Sequence, residues 1–152
     1  MRIAIDADDA AVNLKEIIYK HLLSKDYDVT DIAFSKDGTA LYPEIGYNLA
    51  QRIRQKDFDR GILICGTGIG MAMVANKVQG VYAGLCHDVF SAQRLAKSND
   101  GNILTMGERV IGSELAKLVV EAWLSSLFEG GSSEPKVIQM RNLESKSFSS
   151  LK

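Results

Sequence analysis

Apolar positions along this chain keep two rhythms, and the rhythms alternate. Short stretches of mostly consecutive apolar residues occur at Met1–Ala7, Tyr27–Phe34, Ile62–Ile64, Gly80–Cys86 and Asn102–Met106. Stretches of that length suit strands, and Ile62-Leu63-Ile64 in particular suits one covered on both faces. Between them the spacing is helical: Val12, Leu14, Ile17, Ile18 and Leu22 within Ala10–Lys25, then Ile45, Leu49, Ala50 and Ile53 within Glu44–Gln55. Further helices are expected from Met71 to about Val78, over Val89–Ser98 and over Ser113–Phe128, with Ser35–Pro43 a polar loop and Asp9 the N-cap of the first helix. Strand–helix alternation predicts an α/β fold, a Rossmann-like three-layer sandwich whose middle layer is a five-stranded parallel sheet. Beyond Gly130, Gly131, Ser132, Ser133 and Pro135 a short helix over Val137–Leu143 is expected, with a frayed serine- and lysine-rich end. No internal repeat or interior linker divides the chain, so 1–131 read as one α/β domain and 132–152 as a tail expected to pack on a neighbouring subunit.

Parallel sheets bind ligands beyond the carboxyl ends of their strands. Four such ends carry candidate chemistry: the Asp6–Asp9 cluster, Cys65–Gly70, Cys86–Asp88 and Met106–Arg109. The second is the most informative. A strand cysteine on its own is a small, inert core residue. Here Gly66, Gly68 and Gly70 open a turn that a β-carbon would obstruct, and the helix that follows points its first amides into it. Such amides stabilise an anion or a developing oxyanion, and a helix N-terminus favours thiolate, which acts as nucleophile or base. Thr67 is either a turn-former or a hydroxyl able to relay a proton. The turn has no lysine after its glycines, as a Walker loop requires, and lacks the spacing of a dinucleotide fingerprint.

Other candidates carry two readings each. Arg109 lies just past the fifth strand, at the ligand edge. Asn99 and Asp100 form a capping turn or bind substrate; His87 is a loop histidine or a proton carrier; His21 packs or sits on a rim. Lys136 and Arg141 are solvated cations or phosphate ligands.

A formal charge of −1 over 152 residues argues against nucleic-acid or membrane-surface binding driven by bulk charge. No apolar run approaches the ~20 residues that span a bilayer. Met1–Asp6 enters a strand and acidic residues at once, unlike a signal peptide, so a cytoplasmic location is expected. There Cys65 and Cys86 should stay reduced, and two cysteines with two histidines at scattered positions give no zinc-ligand spacing.

The segment Ile64-Cys65-Gly66-Thr67-Gly68-Ile69-Gly70, followed by Ala75-Asn76-Lys77, closely resembles ribose-5-phosphate isomerase B and the galactose-6-phosphate isomerase subunits. Ser91-Ala92-Gln93, Asn99-Asp100, Asn102-Ile103-Leu104, Gly107-Glu108-Arg109-Val110-Ile111-Gly112 and Glu129-Gly130-Gly131 extend the likeness in the same order over most of the chain. The resemblance implies interconversion of an aldose phosphate and a ketose phosphate, of the ribose 5-phosphate/ribulose 5-phosphate type, through a cis-enediolate and without a cofactor. It implies Cys65 as the base moving a proton between C1 and C2, with Thr67 assisting at the sugar. It places the amides of Gly66, Gly68, Ile69 and Gly70 on the enediolate and Asn99 on substrate oxygens. Asp8, with Asp9 beside it, falls on the sugar hydroxyls, Tyr42 on the pocket wall, and Arg109 and Lys136 near the phosphate. It also implies a homodimer or homotetramer with pockets shared between subunits.

Four positions depart from the family's usual pattern. Asp9 and Ser98 stand where histidines are usual, and Ser132 and Lys136 where two arginines are usual. The acid that opens a sugar ring is thereby displaced, leaving Ser98 or His87 as candidates. Three readings follow: an isomerase for another sugar phosphate, such as a tetrose phosphate that needs no ring opening; the cysteine-bearing subunit of a heteromer, as in galactose-6-phosphate isomerase; or a paralogue that binds without turnover. Retention of Cys65, Thr67 and the three turn glycines favours an active isomerase, alone or in a heteromer. Weak activity of the isolated chain on ribose 5-phosphate is expected.

Overall fold

The structure, a computed structural model, describes residues 1–36 and 38–149. Asp37, in the expected polar loop, and residues 150–152, at the end of the expected frayed tail, lie outside the described residues. Strands β1 (Arg2–Ala7), β2 (Asp28–Asp31), β3 (Arg60–Cys65), β4 (Ala83–Leu85) and β5 (Ile103–Gly107) form one parallel sheet in the order β2-β1-β3-β5-β4. This is the α/β sandwich that strand–helix alternation predicts.

Side chains along a strand alternate between faces, and here each face builds its own core. Ile3, Ile5, Ile62, Ile64, Leu104 and Met106 pack with α1 (Val12–Ser24), α4 (Val89–Lys97) and α5 (Ser113–Leu124), around the fully buried Trp123. Ala4, Leu63, Cys65 and Ile103 turn the other way, onto Ile45, Leu49 and Ile53 of α2 (Tyr42–Arg54) and Met71 and Ala75 of α3 (Ile69–Ala75). The chain leaves β1 toward one edge to make β2, then returns to the other side of β1 as β3. That reversal opens a crevice at the carboxyl ends of β1 and β3, where open α/β sheets bind ligands. Register places Ala7 beside Ile64 and Cys65 beside Gly107, so three strand ends meet there.

Several boundaries differ from the expected ones. Asp8, not Asp9, is the first cap: its backbone is extended and its carboxylate accepts the Ala10 amide at 3.1 Å, opening a 3-10 turn over Asp9–Ala11. The next orphan amide, Leu14, donates to Glu108 from beyond β5, at 2.9 Å. Helix α2 begins at Tyr42, two residues early, because Pro43 fits a first turn where no amide is needed and Glu44 accepts from the Leu41 amide at 3.2 Å. Strands β2 and β4 are shorter than expected, each being an edge strand with one neighbour. Helix α5 stops at Leu124 rather than Phe128, and Arg60 donates to the carbonyls of Trp123 and Ser126.

The largest difference is the tail. Helix α6 runs over Glu134–Ser149, far longer than the expected Val137–Leu143. Glu144 accepts from the Gly80 amide at 2.9 Å and the Tyr82 hydroxyl at 2.8 Å, while Arg141 pairs with Asp100 and lies over the Tyr82 ring. These bonds tie α6 to the β4 edge of its own chain. Among the described residues no helix is long and apolar enough to cross a membrane.

Candidate active site

Cys65 ends β3 on the α2/α3 face, and the next residues decide what its sulfur meets. Gly68 adopts φ +79°, and a β-carbon there would lie 2.7 Å from the Met106 backbone, so only glycine turns the chain here without strain. In that conformation the Gly68 amide donates to Cys65 Sγ at 3.0 Å. The Gly68 carbonyl accepts from buried Thr105 Oγ1 at 3.0 Å, which fixes the peptide from its other side. Glu108 and Arg109 donate their amides to the Cys65 and Gly66 carbonyls, at 2.9 and 3.1 Å, and lock the turn to the end of β5. Gly107 permits that closeness; a β-carbon on it would come within 2.5 Å of the Thr67 backbone.

The sulfur is not sealed. Although Cys65 is 6% exposed, it opens on a cavity of about 450 Å³ that it shares with Asp8, Tyr42, Thr67 and Arg109. Gly66, Ile69 and Gly70 also line it, with Ala10 and Met73. Tyr42 packs over Gly70 and the Arg109 side chain lies over Gly66. Thr67 is exposed, and its hydroxyl oxygen accepts the Ile69 amide at 3.3 Å, leaving the hydroxyl hydrogen to donate. Burial pushes the Asp8 carboxyl above its ordinary pKa, helped by the charge of Asp9 and opposed by the Ala10 amide and Arg109.

The other expected site residues lie apart. Asp9 is exposed and faces a neighbouring cavity of about 690 Å³ with Asp6, Lys15 and Lys36. Ser98, Asn99 and Lys136 line a third cavity, of about 430 Å³, with Arg94 and Ser133. His87 accepts the Gly107 amide at Nε2 at 2.9 Å, and burial lowers its pKa, partly offset by Asp88. The nitrogen nearest β5 therefore carries no proton to give. Cys86 belongs to the opposite core, and both thiols are free.

Three residues that organise these sites were given no role by the sequence. Glu108 caps α1, Thr105 braces the turn from inside the sheet, and Arg94 walls the third cavity. Only the pairing of β3 with β5 brings the first two to the site. Among the described residues no group of three or more His, Cys, Asp or Glu side chains is placed to hold a metal ion.

A family model described as Ribose/Galactose Isomerase matches residues 3–140. The chain is 51% identical over 138 residues to a D-erythrulose-4-phosphate isomerase of Pectobacterium atrosepticum, covering 90% of this chain and 91% of that one. It is 44% identical over 146 residues to a ribose-5-P isomerase B of Listeria innocua, covering 96% and 99%. The solved ribose-5-phosphate isomerase B of Clostridium thermocellum superposes with a TM-score of 0.91 at 37% identity, covering 97% of this chain and 99% of that one.

Proposed function

The chain belongs to the ribose/galactose isomerase family, and from that premise we propose that it interconverts a four-carbon aldose phosphate and its ketose, with Cys65 as the carbon base. That it is a sugar-phosphate isomerase, an aldose–ketose intramolecular oxidoreductase, follows from its relatives. One observation carries the assignment of the base: a thiol with an amide on its sulfur, open to a cavity that also holds a carboxyl, a hydroxyl and a guanidinium.

The Cys65 thiolate takes the proton from C2 of the aldose, and the electron pair of that C–H bond forms the enediolate. Turn amides and the Arg109 guanidinium face the charge that develops on oxygen. Thr67 donates to a substrate oxygen and Asp8 accepts from a sugar hydroxyl. Delivery of a proton from the Cys65 thiol to C1, with the O2 hydroxyl proton passing to O1, gives the ketose, and no electron leaves the molecule. A general base of this kind contributes roughly 10²–10⁴ in rate.

Ser98 supports the four-carbon substrate. A tetrose esterified on O4 has no free oxygen to close a five-membered ring, so it needs no ring-opening acid. Serine is too weak an acid for that task, and His87 accepts the Gly107 amide at Nε2, which leaves Nδ1 alone to carry its proton. The relative 51% identical is named for the four-carbon substrate. With purified protein, erythrose 4-phosphate should turn over with at least about tenfold higher kcat/KM than ribose 5-phosphate. A preference for ribose 5-phosphate would remove the chain-length assignment and leave the base untouched.

We infer that the cavity holding Ser98, Asn99 and Lys136 completes the site from a second copy of the chain, because it shares no lining residue with the Cys65 cavity and the resemblance implies pockets shared between subunits. Mixing Cys65→Ala with Asn99→Ala protein after subunit exchange should regain activity that neither has alone. Failure to regain it, with exchange verified, would place each site within one chain.

A further inference from the structure

The third cavity carries an assignment that its sequence does not advertise. Its charged lining residues are Arg94 and Lys136, both cations, and its remaining polar wall is Ser98, Asn99 and Ser133, with no carboxylate among them. Two cations facing one polar hollow repel each other unless an anion lies between them. Lys136 has no ion pair among the described residues. The carboxylate nearest Arg94 is that of Glu129, 4.0 Å from Nη1, and Lys97 holds the same carboxylate more closely, at 3.1 Å. The guanidinium is instead positioned by a neutral group: Nη2 donates to Ser98 Oγ, one helical turn on. Because Arg94 rests on the hydroxyl of Ser98, it occupies space that a larger side chain at 98 would fill.

We propose that Arg94, set in place by Ser98, acts with Lys136 to bind the phosphate of the substrate, and that its guanidinium shortens the pocket to a four-carbon chain. This rests on the shared site described above. Arginine suits the task, since its planar fork bonds two phosphate oxygens at once, whereas Lys136 supplies a single point charge. Ser98 has a positive role here: small enough to admit the guanidinium, polar enough to hold it.

The test uses Arg94→Met and Arg94→Lys in the full-length protein, with inorganic phosphate as the probe by titration calorimetry and both sugar phosphates in the isomerase assay. Arg94 is partly exposed, so neither change should prevent folding. The expected result for Arg94→Met is a KM for erythrose 4-phosphate raised about ten- to a hundredfold with kcat within about threefold, and phosphate binding weakened in parallel. Arg94→Lys should fall between, because charge returns without the fork. Discrimination against ribose 5-phosphate should narrow in Arg94→Met. Unchanged KM and phosphate affinity in Arg94→Met would overturn the assignment while leaving the isomerase reading intact. A wild-type protein that binds phosphate through Arg94 yet isomerises neither sugar would preserve the anion site and remove the four-carbon substrate instead.

Discussion

β3 and β4 both lead into a cysteine at the ligand edge of the sheet, and the two sulfurs are almost equally hidden, with Cys65 6% and Cys86 4% exposed. Their chemistry nonetheless differs. Cys65 receives the Gly68 amide and opens on a cavity, because Gly68 in the left-handed conformation turns the chain back onto the sulfur. Cys86 is followed by His87 and Asp88, packs in the opposite core, and burial pushes its thiol up to about 11, with the charge of Asp88 adding to the effect. Burial alone therefore does not say whether a cysteine is structural. What the next three residues let the backbone do around the sulfur says it.

The sharpest way to break this contrast is to remove each sulfur in turn. Cys65→Ala should lower kcat/KM about 10³–10⁴-fold with phosphate binding retained, while Cys86→Ala should change it less than about threefold. Comparable losses in both would mean that the turn does not distinguish them. Thr67→Ala, which removes the donor together with the 3.3 Å bond from the Ile69 amide, should cost about ten- to a hundredfold in kcat. An unchanged kcat would reduce Thr67 to a turn-former.

The smallest effect concerns stability. Cys86 keeps its proton in the fold up to about 11, whereas the unperturbed thiol releases its own near 9.0. A group with its pKa raised by folding lends stability that is complete below the unfolded value and disappears as pH climbs toward the folded one. Urea melts should therefore show wild-type stability falling between about pH 9 and 11 relative to Cys86→Ala, whose profile should be flatter there. Parallel profiles would mean that burial does not hold the proton on Cys86 in the fold.

The sheet and its helices were legible because apolar runs and helical spacing are local signals. The Cys65 turn was legible because its glycines are adjacent in sequence. The tail was not: α6 is held by Gly80, Tyr82 and Asp100, partners dozens of residues away, and its serine- and lysine-rich composition predicts fraying. Asp8 displaced Asp9 as the first cap through a backbone angle that two adjacent aspartates do not reveal. Arg94 was invisible for a related reason. On α4 it is one more surface cation until its neighbour at 98, and the start of α6, are seen to share a hollow with it.

The central claim is that the sulfur of Cys65 moves a carbon-bound proton. Incubating erythrose 4-phosphate in deuterium oxide with each protein and following C1 and C2 by proton NMR tests it directly. Wild type and Cys86→Ala should wash deuterium into the recovered sugars, and Cys65→Ala should leave both carbons protonated while still binding phosphate. Deuterium appearing with Cys65→Ala at a comparable rate would contradict the account.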